Sequence, residues 1–334
     1  MKFLNNELYK KELEYLMGLD LPWGMFKDKS VIVTGANGMI GKCIIDVLMA
    51  KNIGVKIVAI DDDEQKAMER FSGYIDSDNF KFLKTKLNEH LEEMGRAEFV
   101  IHTSLKKETN YLKPIEIITN KINGTNNILE YAVNHGNIRF VFISSLVDHD
   151  EKIAEFKEND FSYCNCNTLK ELYFESKRAS EGLCQAYIKQ KELDAVIIRL
   201  AKVYGPNSYL KRFIKNGLEK KELFLSNKGA EIYSYLYLTD AIAAILTILL
   251  KGECKKIYNV LDEESVLSLN DFVKIVANYV SEKEVFKANE KLKSTSESKI
   301  VFDSKRLKEL GWKPHYNITS GIKRSIDILN VCEK

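Results

Sequence analysis

VTGANGMIGK, Val33 to Lys42, decides the fold of this chain. It sets Gly35, Gly38 and Gly41 at G-x2-G-x2-G directly after the β-branched run that begins at Ser30. Glycine belongs in such a turn because its backbone needs positive φ, and because a pyrophosphate can come close only where no side chain intervenes. The helix-periodic stretch 39–51 that follows would present its N-terminal N–H groups to that anion. A glycine triplet alone specifies little; a strand before it and a helix after it give it meaning.

The next apolar run, VKIVAID, ends at Asp61, twenty residues past Gly41, with Asp62 beside it. A carboxylate there accepts both ribose hydroxyls of an adenosine and repels a 2′-phosphate. No arginine follows within the turn, so NAD is expected rather than NADP. The residues expected to hold it are Gly35, Asn37, Gly38, Met39, Ile40, Gly41, Asp61, Asp62 and Thr103.

Beyond this unit the chain keeps alternating: FKFLKT, EFVIHTS, a helix over 115–135, IRFVFISS, a helix over 169–190, and AVIIRL. Strand–helix alternation builds a parallel sheet covered on both faces. The expected class is α/β, a Rossmann-type doubly wound parallel sheet. After Gly205-Pro206 the rhythm changes to a basic patch (YLKRFIKNGLEKK), the strand-like EIYSYLYL, the apolar helix 240–251, the short strand KIYNVL and a helix near 269–281. This predicts a smaller, mostly C-terminal α/β substrate lobe. The expected organisation is a helical N-terminal arm over 1–28, an NAD-binding domain over 29–203 with about 236–260, and a substrate lobe over about 204–235 with 261–334.

Composition narrows the partners. A net charge of +2 across 334 residues argues against nucleic acid and anionic membranes, which select clustered basic excess. The most apolar segment, AIAAILTILL at 241–250, is about half the length that spans a bilayer. The N-terminus carries charges where a signal peptide needs an unbroken apolar core, so a cytoplasmic protein is expected. Six cysteines show no paired C-x2-C spacing, Cys164-Asn-Cys166 alone is a weak metal signal, and His149 between Asp148 and Asp150 lacks a second ligand at metal-site spacing; no metal is expected.

Tyr173 and Lys177 stand at i and i+4 in the helix after the strand that ends Ser144-Ser145, so they share a face. Y-x3-K also occurs at Tyr187/Lys191 and Tyr279/Lys283; the position of Tyr173 between two strands, before AVIIRL and VYGP, distinguishes it.

At this point the chain resembles the extended short-chain dehydrogenase/reductase family of nucleotide-sugar epimerases, dehydratases and decarboxylases. The resemblance covers about residues 29–327 and rests on TGANGMIG, IHTS, NGTNNILEYA, ISS, YFESKRASE, RLAKVYGP, YLYLTDAIAAIL, YNV and LKELGWKP in order. Within the family, SKRASE and the N-terminal arm look most like the UDP-glucuronate decarboxylase and dehydratase-like branch. The resemblance implies that Ser145 orients the reacting oxygen and that Tyr173 takes the hydroxyl proton. Lys177 would lower the phenol pKa, from its ordinary value of about 10, and reach the nicotinamide ribose. It also implies NAD held in the site, a nucleotide-sugar substrate and a homodimer formed through the helices 115–135 and 169–190.

Several positions depart from the family. Dehydratases follow the hydroxyl residue with Asp-Glu, and decarboxylases of this branch keep a glutamate there; this chain has Leu146 and Val147, which move no proton. The asparagine usual before the GT of NGTNN is Lys121, and the asparagine before YGP is Lys202. The arginine before SYLY, which commonly holds the substrate diphosphate, is Tyr233. Lys202, Lys211 or Arg212 would restore a cation for the diphosphate. The expected reaction is epimerisation at a carbinol carbon. The alternatives are reduction of a nucleotide-linked keto sugar with NAD(P)H, dehydration or decarboxylation, and NAD binding without catalysis.

Overall fold

The computed structural model describes residues 4–89, 91, 94–103, 114–136, 138–146, 155–159, 172–206, 232–280 and 301–333. In chain order its elements are α1 (Glu7–Met17), a short 3-10 turn (Trp23–Phe26), β1 (Ser30–Thr34), α2 (Met39–Lys51), β2 (Lys56–Asp61), α3 (Glu64–Phe71), β3 (Phe80–Lys84) and β4 (Phe99–His102). They continue with α4 (Pro114–His135), β5 (Arg139–Ser145), β6 (Glu155–Phe156), α5 (Leu172–Lys191), β7 (Ala195–Leu200) and β8 (Lys202–Tyr204). The last are β9 (Ile232–Tyr237), α6 (Leu238–Lys251), β10 (Ile257–Val260), β11 (Val266–Ser268), α7 (Leu269–Val280), β12 (Val301–Phe302), α8 (Lys305–Glu309) and α9 (Ile318–Glu333). Lys211, Arg212, Val147, His149, Cys164, Cys166 and the basic patch near 209–221 lie outside the described residues.

Among the described residues, seven parallel strands form one sheet in the order β10-β7-β5-β4-β1-β2-β3. This is the doubly wound order with one added strand, and its direction of winding reverses between β1 and β4, where ligands of such sheets bind. Side chains of each strand alternate between the two faces. Val31, Val33, Val141 and Ile143 enter the core shared with α1, α2 and α6, whereas Ile32, Phe140 and Phe142 enter the core under α4 and α5. Burial on both faces is why these strands read as continuous apolar runs.

Helix α6 explains the AIAAILTILL stretch. Every residue from Leu238 to Leu250 is buried, so the helix is apolar on all sides except at Thr239, Asp240 and Thr247. No helix among the described residues is long and apolar enough to cross a membrane.

A second group of elements stands apart from the large sheet. Strand β9 pairs in parallel with β8 and antiparallel with β11. Tyr204, Tyr235, Tyr237 and Phe272 from these strands and α7 pack with Ile322, Ile326 and Leu329 of α9 in a separate core. Tyr235 stacks on Phe272 with centroids 4.3 Å apart.

The N-terminal helix expected as an arm is docked into the main core, where Tyr9, Leu13 and Leu16 are buried. Its Glu12, only 2% exposed, accepts hydrogen bonds from Thr239 Oγ1 (2.6 Å), Tyr316 Oη (2.7 Å) and Arg324 Nε (2.5 Å). The adjacent Asp240 accepts the backbone N–H groups of His315 and Tyr316. One buried polar cluster thus joins α1, α6 and the chain leading into α9.

Candidate active site

The turn after β1 is built as its glycines require. Gly35 has φ +68°, and a β-carbon on Gly41 would sit 2.6 Å from the Gly35 carbonyl oxygen, so a side chain there would collide with backbone. Gly38 is the N-cap of α2 and supplies no side-chain cap, so the first N–H groups of the helix have no side-chain acceptor of that kind. Asn37 N–H donates to Asp61 Oδ2 (3.0 Å), Asp62 N–H to Asp61 Oδ1 (3.1 Å), and the Asn37 side-chain amide to the Asp63 carbonyl (2.8 Å). A carboxylate at this strand end is the acceptor that the ribose hydroxyls of an adenosine require. Thr103 closes the other wall: its hydroxyl donates to the Thr34 carbonyl at 2.7 Å. The structure therefore gathers Gly35, Asn37, Gly38, Met39, Ile40, Gly41, Asp61, Asp62 and Thr103 around the reversal between β1 and β4. A cradle that a β-carbon would fill, an uncapped helix N-terminus and an acid at the end of β2 fit a dinucleotide.

Tyr173 and Lys177 lie in α5, which packs along α4. Lys177 is buried, and its ammonium donates to the Ile143 carbonyl of β5, two residues before Ser145. Its Nζ is 6.0 Å from the Tyr173 ring centroid and 5.3 Å from that of Phe142. Burial, and after it the Lys121 ammonium, push the Lys177 ammonium down to about 7. Burial alone pushes the Tyr173 phenol up to about 12.

Behind this pair runs a hydrogen-bonded series absent from the expected site. His102 meets Thr34 Oγ1 through Nδ1 (2.7 Å) and Thr125 Oγ1 through Nε2 (3.2 Å); Thr125 also contacts Ser180 Oγ (3.1 Å) and donates to the Lys121 carbonyl (2.9 Å). Burial, then the Lys177 charge, hold His102 down to about 3, so it stays neutral. The series ties the β1 and β4 ends to α4 and α5. Thr34, His102, Thr125 and Ser180 fall inside TGANGMIG, IHTS, NGTNN and YFESKRASE, but their contact depends on how α4 and α5 cross the sheet.

Ser145 ends β5 and is half-buried, opposite Leu200 of β7. Leu146 follows it, donates its N–H to the Leu200 carbonyl (2.8 Å), and packs against the main core. From the same edge the chain enters β8, where Lys202 lies opposite Tyr235 of β9. Lys202 Nζ sits 3.4 Å from the Tyr233 ring centroid, a cation held on an aromatic face. The two substituted positions are thus in direct contact. Below them Arg199 pairs with Glu181 of α5 (NH2 to Oε2, 2.8 Å), which fastens the helix bearing Tyr173 to β7. Among the described residues no group of three His, Cys, Asp or Glu side chains could hold a metal ion.

The sheet order and glycine turn define a dinucleotide-binding protein of the Rossmann class. More narrowly, the chain belongs to the NAD dependent epimerase/dehydratase family, whose model matches residues 31–260. It is 25% identical over 327 residues to a human dTDP-D-glucose 4,6-dehydratase, covering 92% of each chain. It is 21% identical over 307 residues to the low-salt glycan biosynthesis protein Agl12 of Haloferax volcanii, covering 89% of this chain and 97% of the other. Two solved structures share the fold. A Bacillus anthracis dTDP-glucose 4,6-dehydratase in complex with NAD has TM-score 0.76 at 20% identity, covering 90% of this chain and 96% of that one. A Bacillus cereus UDP-glucuronic acid 4-epimerase in complex with NAD has TM-score 0.73 at 22% identity, with the same coverage. The protein is an NAD-dependent enzyme of the extended short-chain dehydrogenase/reductase type.

Proposed function

We propose that the chain epimerises a nucleotide-linked sugar at a carbinol carbon. NAD, held by the glycine turn, Asp61, Asp62 and Thr103, supplies the hydride acceptor. Tyr173 takes the hydroxyl proton, Lys177 places positive charge beside the phenolate, and Ser145 holds the reacting oxygen by a hydrogen bond. Oxidation, presentation of the opposite face of the keto sugar and reduction then change one stereocentre with no net redox change.

The observation that carries the reading is Leu146. The residue after Ser145 is an aliphatic side chain packed against the core, where loss of water would need a proton donor or acceptor. Purified protein incubated with UDP- and dTDP-hexoses is expected to yield an epimer by proton NMR, without accumulation of NADH. A 4-keto-6-deoxy product would establish the dehydratase reading, which several similar proteins bear in their names. Consumption of NADH with a keto sugar would establish the reductase reading.

Lys202 serves as the diphosphate cation in place of the arginine that Tyr233 replaces, with the Tyr233 ring fixing the ammonium over the strand edge. Hydrogen bonds to charged groups contribute about 1.5–3 kcal/mol, so Lys202→Met should raise KM about 10–100-fold with kcat little changed. An unaltered KM would remove Lys202 from the substrate site. The paired helices α4 and α5 are the surface on which a second copy of the chain is expected, and a cytoplasmic location is retained from the sequence.

A further inference from the structure

Lys121 stands where the family usually has a neutral amide, and the structure puts it at the reacting centre. It is 8% exposed, in α4, and its Nζ lies 5.7 Å from the Tyr173 ring centroid, slightly nearer than the Lys177 ammonium. Its carbonyl accepts the Thr125 hydroxyl, so its turn of α4 is tied to the series through His102. Two ammonium groups on separate helices therefore flank one phenol.

We infer that Lys121 is a positioning residue that sets the charge of the reacting centre, allowing Tyr173 to act as a base at lower pH than the Tyr173–Lys177 pair would by itself. The inference rests on Tyr173 being the proton acceptor. Three groups share the protons here, so their titration belongs to the cluster. Loss of the Tyr173 proton to solvent forms a phenolate beside two ammonium groups, and both attract it. With a neutral residue at 121, Lys177 alone attracts the phenolate, so the Tyr173 proton leaves at higher pH. The other described titratable groups facing the cluster do not substitute for Lys121. His102 on β4 is held neutral, Glu181 on α5 is paired with Arg199, and burial with the Glu181 charge keeps the Cys184 thiol protonated.

The test is a pH titration of tyrosinate ultraviolet absorbance on NAD-loaded protein. Subtracting the same titration of Tyr173→Phe isolates the residue of interest, and no substrate is needed, so the result is independent of which sugar reaction is performed. Unit charges about 6 Å apart at an effective dielectric of about 20 interact by the equivalent of about two pH units, and solvent reduces this. Lys121→Gln is expected to raise the onset of Tyr173 ionisation by about one to two pH units, whereas Lys121→Arg should follow the parent protein. The acid limb of the kcat/KM profile should move by the same amount. Lys121→Met, which keeps the apolar stem, is read in the same way if the glutamine variant fails to fold. An unchanged titration in the neutral variants, or a higher KM with an unmoved pH profile, would overturn the inference and make Lys121 a substrate contact or a packing residue.

Discussion

Tyr173→Phe is expected to lower kcat by about 10²–10⁴-fold while leaving the fold and bound NAD in place. Phenylalanine preserves the ring that packs beside Phe174, with centroids 5.3 Å apart, and removes only the hydroxyl. The loss should appear in kcat and kcat/KM together, because the proton is transferred in the transition state rather than held in the ground state. Circular dichroism and the mass of NAD released on denaturation would verify that the variant is intact. A variant retaining full rate on a sugar turned over by the parent would assign the base elsewhere. The Lys177 ammonium, donating to the Ile143 carbonyl, should remain in place in this variant, since that contact does not involve the phenol.

The largest stability effect is expected at Glu12. Its carboxylate is buried with three hydrogen-bond donors from α6, the segment after α8, and α9. Glu12→Ala leaves the Arg324 guanidinium facing a partly buried cavity without its carboxylate. Breaking one side of such a pair costs about 3–5 kcal/mol. For a chain of this size that corresponds to a melting temperature about 4–7 °C lower. Replacing Glu12 and Arg324 together with methionine should recover part of the loss, because neither charge then remains without a partner. A single variant melting within a degree of the parent would mean that the cluster is solvated and that α1 contributes little to the fold.

Tyr173 was legible because a tyrosine and a lysine one helical turn apart, between a strand ending in serines and a strand leading to YGP, constitute a local pattern. Gly35, Gly38, Gly41 and Asp61 were legible for a similar reason: positive φ, close backbone approach and an acid at a strand end are demands made within a few residues of chain. The helix over residues 7–17 was also visible from its period, but its burial was not. Glu12 reads as an ordinary charged residue on a polar face until the partners at 239, 316 and 324 close over it.

The substituted positions show the same limit. Lys121, Lys202 and Tyr233 were recognisable as departures; the sequence offered Lys202 ahead of Lys211 and Arg212 as the replacement for a missing cation and assigned Lys121 no role. The pairing of β8 with β9 puts Lys202 on the Tyr233 ring, and the packing of α4 on α5 puts Lys121 beside Tyr173.

The sequence by itself determined the winding of the sheet, the dinucleotide turn and the tyrosine–lysine pair, because each is specified by backbone preference and side-chain period over a short span. Tertiary structure decided which charges act together, since an ion interaction depends on distance and burial and its partners here come from elements far apart in the chain.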